Sequence, residues 1–207
     1  MTIIDKEAWP RREIYDFFAP VSDPFYTLTF PVDVTALRAW CRSHGASFYP
    51  AMVFAVTKAM EAVEAFHYKD RDGVIVRHDT LVPSFTDLKP GGEFYYMVTL
   101  ETGEDLADFC RRAKEQSAAQ TEFLTAGPWA ADQLVHFTCL PWFPLTALKN
   151  AKDCNPSDSV PRAGWGRWEE QGDRTSLLVS LELNHRLLDG VHVGKCYEAL
   201  NEWMKQL

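Results

Sequence analysis

Ser176-Leu177-Leu178-Val179-Ser180-Leu181-Glu182-Leu183, followed by Asn184-His185-Arg186-Leu187-Leu188-Asp189-Gly190, is the stretch on which the fold turns. Its first eight residues read as a buried strand, and the Asp-Gly pair as the turn after it. An imidazole at the end of a core strand is held by rigid backbone, which suits a general base that must stay within hydrogen-bond reach of its substrate. On its own, such a histidine reads first as an ordinary half-buried core residue. Downstream, Val193, Cys196, Tyr197, Leu200 and Met204 recur at helical spacing and define one face of a final helix. Upstream, Trp165-Gly166-Arg167-Trp168 and the turn at Gln171-Gly172-Asp173 complete a hairpin with the Ser176 strand.

Further upstream the chain alternates between helical and strand patterns. Trp9 to Phe18 reads as a short helix with Pro10 in its first turn. Phe25 to Val34 reads as a strand, and Val34 to His44 as a helix stopped by Gly45. Pro50 to Phe66 is the strongest helical pattern. Gly73 to Val76, Leu81 to Thr86 and Phe94 to Leu100 read as strands, Leu106 to Ala119 as a helix, and the stretch to Trp129 as looser. His136 to Trp142 reads as a short strand closed by Pro141, and Asn155 to Gly166 as a loop leading into the hairpin. This order implies an α+β or mixed α/β domain, a large sheet covered on one side by helices. No repeat or linker divides the chain, so residues 1–207 are expected to form one domain.

Composition narrows the function. The net charge is −8 and no basic run occurs, so a polyanion such as nucleic acid is not expected as a partner. No apolar run approaches a membrane span, and the first residues carry no basic and apolar leader, so no membrane partner and a cytoplasmic location are expected. The five cysteines are odd in number and form no C-x-x-C pair, which disfavours a disulfide framework or a thiolate zinc site. His136 and His192 have no partner at a ligand spacing, and no metal is expected. Neither glycine-rich phosphate loop nor G-x-S-x-G elbow is present. Taken singly, Arg11 and Arg12 read as solvated charges, Thr138 as a strand-former and Pro141-Trp142 as core packing.

Taken in order, Trp9-Pro10-Arg11-Arg12-Glu13, Ser47-Phe48-Tyr49-Pro50, Lys69-Asp70-Arg71-Asp72-Gly73, Leu140-Pro141-Trp142, Gly172-Asp173-Arg174 and Asn184-His185 to Gly194 resemble the trimeric chloramphenicol acetyltransferases that carry the HHxxxDG motif. The resemblance covers nearly the whole chain. It implies the two-layer fold of CoA-dependent acyltransferases and acetyl transfer from acetyl-CoA to a hydroxyl of chloramphenicol or a similar small molecule, a reaction that confers antibiotic resistance. It also implies a homotrimer with active sites at the subunit interfaces. His185 takes the place of the general base, and an imidazole, whose unperturbed pKa is about 6.5, suits that work near neutral pH. Asp189 and Arg11 match the pair that supports the histidine. Thr138 stands where the family places the hydroxyl that stabilises the tetrahedral oxyanion, a role worth about 3 kcal/mol. Trp142, Arg167 and Trp168 fall where the family contacts CoA, and Phe18, Tyr26 and Gly164 where it contacts the acceptor. Asn184 replaces the first histidine of the pair, Phe18 a frequent tyrosine and Gly164 a threonine.

Two further readings compete. The Asn184-His185-Arg186 context is similar to that of dihydrolipoyl acyltransferase cores, which share the fold and use a thiol acceptor; the Trp9-Pro10-Arg11-Arg12 segment and the lack of a lipoyl domain speak against it. A non-catalytic ligand-binding member of the fold would not need His185, Asp189, Gly190 and a hydroxyl at 138 together.

Overall fold

The computed structural model describes residues 1–125 and 127–207; Ala126, within the stretch expected to be looser, lies outside the described residues. Ten strands and five α-helices are found among the described residues. The strands are β1 (Thr2–Ile3), β2 (Phe25–Asp33), β3 (Tyr68–Arg71), β4 (Val74–Arg77), β5 (Val82–Leu88), β6 (Tyr95–Thr99), β7 (Leu134–Leu140), β8 (Arg162–Gly166), β9 (Glu169–Gln171) and β10 (Arg174–Asn184). The helices are α1 (Arg12–Phe18), α2 (Thr35–His44), α3 (Phe48–Glu61), α4 (Leu106–Ala119) and α5 (Gly190–Met204).

The main sheet runs β2-β10-β8-β7-β5-β6, with β9 paired to the start of β10. It is mixed: β7 is parallel to both β5 and β8, while the other pairs are antiparallel. Alternation along the strands sends Phe85, Val98, Val135, Phe137, Ala163, Trp165, Val179 and Leu181 into the core on one face. Helices cover that face. α3 lies at the centre against β5 and β7 and is flanked by α2, α4 and α5. Pro50 to Thr57 are all buried, so this helix is apolar all round because it is surrounded on all sides.

The second face departs from the expectation of a bare sheet. The segment between β7 and β8 folds back over β10 and is tied there by that strand's alternate, polar positions. Ser180 bonds the backbone of Leu148 at 3.3 Å, and Glu182 accepts from the Asn150 N–H at 2.9 Å and pairs with Lys152. Asn184 donates from Nδ2 to the carbonyls of Pro156 and Asp158, each at 2.8 Å, and accepts from the Arg186 N–H. Buried polar side chains on a core strand are thereby satisfied. Over β5 to β8 the same face stays open as a cleft.

A small sheet, β1-β4-β3, lies beside the first. Asp72 and Gly73, with φ of 53° and 92°, make the tight β3–β4 turn, a geometry that Asp-Gly supplies at little cost. β1 and β3 were not expected, because Tyr68-Lys69-Asp70-Arg71 carries no apolar alternation. Lys69 and Asp70 are nevertheless buried, held by the backbone carbonyl and hydroxyl of Ser159. Helix α3 ends at Glu61 rather than Phe66: Val63 is extended and the His67 ring binds the Glu61 carbonyl, so Glu64–His67 form a separate 3-10 turn. Trp9 and Pro10 precede α1 instead of opening it. In α5, Tyr197 stands at the edge of the buried face, half exposed against Phe30.

Candidate active site

β10 carries His185 just beyond its last paired residue, and the His185 N–H continues the pairing by donating to Pro24 O at 2.8 Å. Two aromatic rings pack against the imidazole. Phe18 stacks on it with centroids 4.3 Å apart and planes 15° off parallel, and Tyr26 leans on it at 4.6 Å. Tyr26 is fixed in turn by its hydroxyl, which donates to Leu188 O at 3.0 Å; burial and then the Asp189 charge keep that hydroxyl protonated. The Nδ1 of His185 is enclosed and sits 3.1 Å from Asp189 Oδ1, off the line that a hydrogen bond needs, so the contact is electrostatic.

Arg11 binds the whole turn. Its Nε donates to Arg186 O and its Nη2 to His185 O, both at 2.9 Å, and Nη2 also donates to Asp189 Oδ1 at 2.8 Å. A second guanidinium bond reaches Asp189 Oδ2, making the pair bidentate. The guanidinium holds the Asp189 carboxyl below the usual carboxylate range. His192 completes the turn from the first turn of α5: its Nδ1 accepts the Asp189 N–H at 2.9 Å, which requires that nitrogen to be unprotonated. Burial and then the Arg11 charge lower its pKa.

Thr138 lies on β7 and lines the open cleft, which has a volume of about 780 Å³. Its Oγ1 is 3.5 Å from that of Thr86. Trp142, His136, Met97, Tyr95 and Arg162 line the same cleft. His136 shares a strand face with Thr138, two residues away, a relation legible in the alternation of β7. Its ring pKa is lowered by burial and by Arg162.

The expected site residues therefore fall into separate groups. His185, Asp189, Arg11, Phe18 and Tyr26 come together around the imidazole. Thr138, Trp142 and Gly164 belong to the cleft, Gly164 through its pairing with Thr138. Arg167 is exposed and its N–H donates to Phe143 O at 2.8 Å, beside Trp142. Trp168 instead faces a second cleft with Arg38, Arg42 and Phe48, and the Arg38 guanidinium lies 4.5 Å over its ring. Within one chain Thr138 and His185 are far apart: Thr138, Gly164 and Ser180 form one row across the sheet, and His185 is five residues beyond Ser180. Two strand spacings and five residues of rise put roughly 15–20 Å between them. Among the described residues no group of three or more His, Cys, Asp or Glu is gathered as for a metal ion, and no helix is long and apolar enough to cross a membrane.

This architecture is that of the CoA-dependent acyltransferases. A solved chloramphenicol acetyltransferase superposes with a TM-score of 0.87 at 23% identity, covering 99% of this chain and 100% of that one. The dihydrolipoamide acetyltransferase of Azotobacter vinelandii superposes with a TM-score of 0.68 at 17% identity, covering 93% and 85%. Chloramphenicol acetyltransferase of Escherichia coli is 25% identical over 207 residues, spanning 98% of this chain and 93% of the relative. The chloramphenicol acetyltransferase family model matches residues 1–201, and the chain belongs to that family. It is accordingly an acetyltransferase that takes its acetyl group from acetyl-CoA and passes it to a small-molecule acceptor.

Proposed function

We propose that the protein acetylates a hydroxyl of chloramphenicol, or of a closely similar molecule, with His185 as general base. The observation that carries this reading is the clamp of Arg11 and Asp189 on the turn that presents His185. With Nδ1 enclosed, Nε2 is the nitrogen left to a substrate. It takes the acceptor's hydroxyl proton as that oxygen attacks the thioester carbonyl. The Thr138 hydroxyl donates to the resulting oxyanion. Collapse then breaks the C–S bond, and the leaving sulfur takes the proton back from His185, so no acyl-enzyme forms.

The roughly 15–20 Å between Thr138 and His185 in one chain supports a site shared between subunits, His185 from one copy and Thr138 from its neighbour in a homotrimer. A cleft of about 780 Å³ is large enough for an acceptor beside the end of a CoA arm. Trp142, which lines the cleft, and the exposed Arg167 would meet that arm by stacking and by charge. Five free thiols fit a reducing, cytoplasmic site of action. Acetylation of the drug there would confer resistance.

The test is CoA thiol release from acetyl-CoA with and without chloramphenicol, alongside His185→Ala. Chloramphenicol-dependent release that falls about 10²- to 10⁴-fold in the variant is the expected result. Release only with dihydrolipoamide would transfer the reading to the thiol-acceptor enzymes. Light scattering should give three times the 23.6 kDa chain mass; a monomer that turns over would exclude the shared site.

A further inference from the structure

A second buried network starts at the residue that follows His185 in the chain. Arg186, next to His185, extends under α1. It pairs with Asp70 at 3.4 Å, and both side chains are buried. Asp70 also accepts from the Tyr15 hydroxyl at 2.8 Å and from the Gly73 N–H at 2.7 Å, and its own N–H donates to Ser159 Oγ at 3.0 Å. The rest of the guanidinium faces the end of α1, where Nε donates to Phe18 O at 3.3 Å and Nη2 to Ala19 O.

Helix α1 is tied at its start and middle, where Lys6 pairs with Asp16 and lies over the Tyr15 ring, which packs on Trp9, but its end has little else to hold it. It is seven residues long, buries only Tyr15, and exposes Ile14 and Phe17. A helix this short is not stable alone, and its last carbonyls need partners that a cation supplies well. Val21 N–H reaches Phe18 O, but the only side-chain donor to these carbonyls among the described residues is Arg186. Phe18 is the residue whose ring lies flat on His185.

We propose that Arg186, anchored by Asp70 and Tyr15, is a positioning residue that keeps the Phe18 ring stacked on His185 and so sets the plane of the imidazole. Its importance for turnover rests on His185 being the base; the stack itself can be read without activity. The probe is the Cε1–H resonance of His185 in the proton NMR spectrum, identified by its loss in His185→Gln. A ring stacked at 4.3 Å shields that proton, and Phe18→Ala calibrates the full effect. Arg186→Met should carry the resonance at least half-way to its Phe18→Ala position while the other five histidine signals hold. Tyr15→Phe, which removes one hydroxyl and is the milder variant should Arg186→Met not fold, should move it in the same direction by less. In Arg186→Met, kcat with chloramphenicol should fall about tenfold or more at unchanged KM for acetyl-CoA. A resonance that Phe18→Ala moves and neither Arg186→Met nor Tyr15→Phe moves would overturn the proposal, as would one that Phe18→Ala leaves in place. Wild-type protein without turnover but with the expected shifts would instead count against His185 as the base of this reaction.

Discussion

At the scale of single residues, Gly164, where the resemblance implies a threonine, has no room for a larger side chain. A Cβ built there would sit 2.4 Å from Leu148 Cδ2 and 3.0 Å from Thr138 Cγ2, so Leu148 has taken the space that a larger residue would fill. Gly164→Thr should therefore cost about 1–3 kcal/mol in denaturant unfolding and lower activity by displacing Thr138, and a second change, Leu148→Ala, should recover part of both. Thr138 itself should behave as a hydroxyl and not as a shape. Thr138→Ser should keep kcat within a few-fold, and isosteric Thr138→Val should lower it roughly 10²- to 10³-fold. Equal activity in the two variants would remove Thr138 from the oxyanion site. His185, Asp189 and Thr138 were legible only as candidates, through the local motifs that hold them and not as single residues. Arg186 and Asp70 were not, because they are 116 positions apart and only the packing of α1 brings them together.

Among the elements, β10 does two jobs on its two faces. Leu177, Val179, Leu181 and Leu183 build the core, while Ser180, Glu182 and Asn184 hold down the segment that walls the cleft through Asn150 and Ala151. The Glu182–Lys152 pair is almost wholly buried, so removing one partner strands a charge. Glu182→Ala should cost about 3–5 kcal/mol in chemical denaturation, whereas Glu182→Met with Lys152→Met should cost much less. Similar losses in both would mean that the pair is not desolvated as described. The continuous strand of β10 was legible in its pattern. The reason that its polar positions are Ser, Glu and Asn was not, since the backbone that they bind arrives from some thirty residues away.

For the whole molecule, buried titratable groups set the pH range of stability. His78, His136 and His192 are all pushed below the ordinary histidine value, mainly by burial. A histidine whose folded pKa is lowered binds its proton less readily than the unfolded chain, so stability falls as pH drops through and below about 6.5. Asp189, depressed by Arg11, acts in the same sense at lower pH, its contribution lost as pH falls through its folded value. Tm should thus be lower at pH 5.5 than at pH 7.5, and His192→Gln should flatten the slope. A Tm that rises on acidification would contradict the lowered pKa of these rings.

What the sequence determined by itself is local. The strand-like run from Ser176 to Leu183, the His185-to-Asp189 spacing and the Gly45 helix stop each follow from neighbours within a few residues, where backbone geometry and propensity decide. The tertiary structure decided the rest. It made Tyr68–Arg71 a strand despite its charges, because β4 pairs its backbone, Ser159 O accepts from Lys69, Tyr15 and Arg186 bind Asp70, and Asp132 binds Arg71. It brought Arg11, a solvated charge when taken singly and a partner of Asp189 only through the family resemblance, onto that carboxylate across 178 positions of chain. It set Thr138 and His185 on distant parts of one sheet. Pairings of this kind depend on strand order and on which face each residue occupies, and those are properties of the packed chain that no short window of sequence contains.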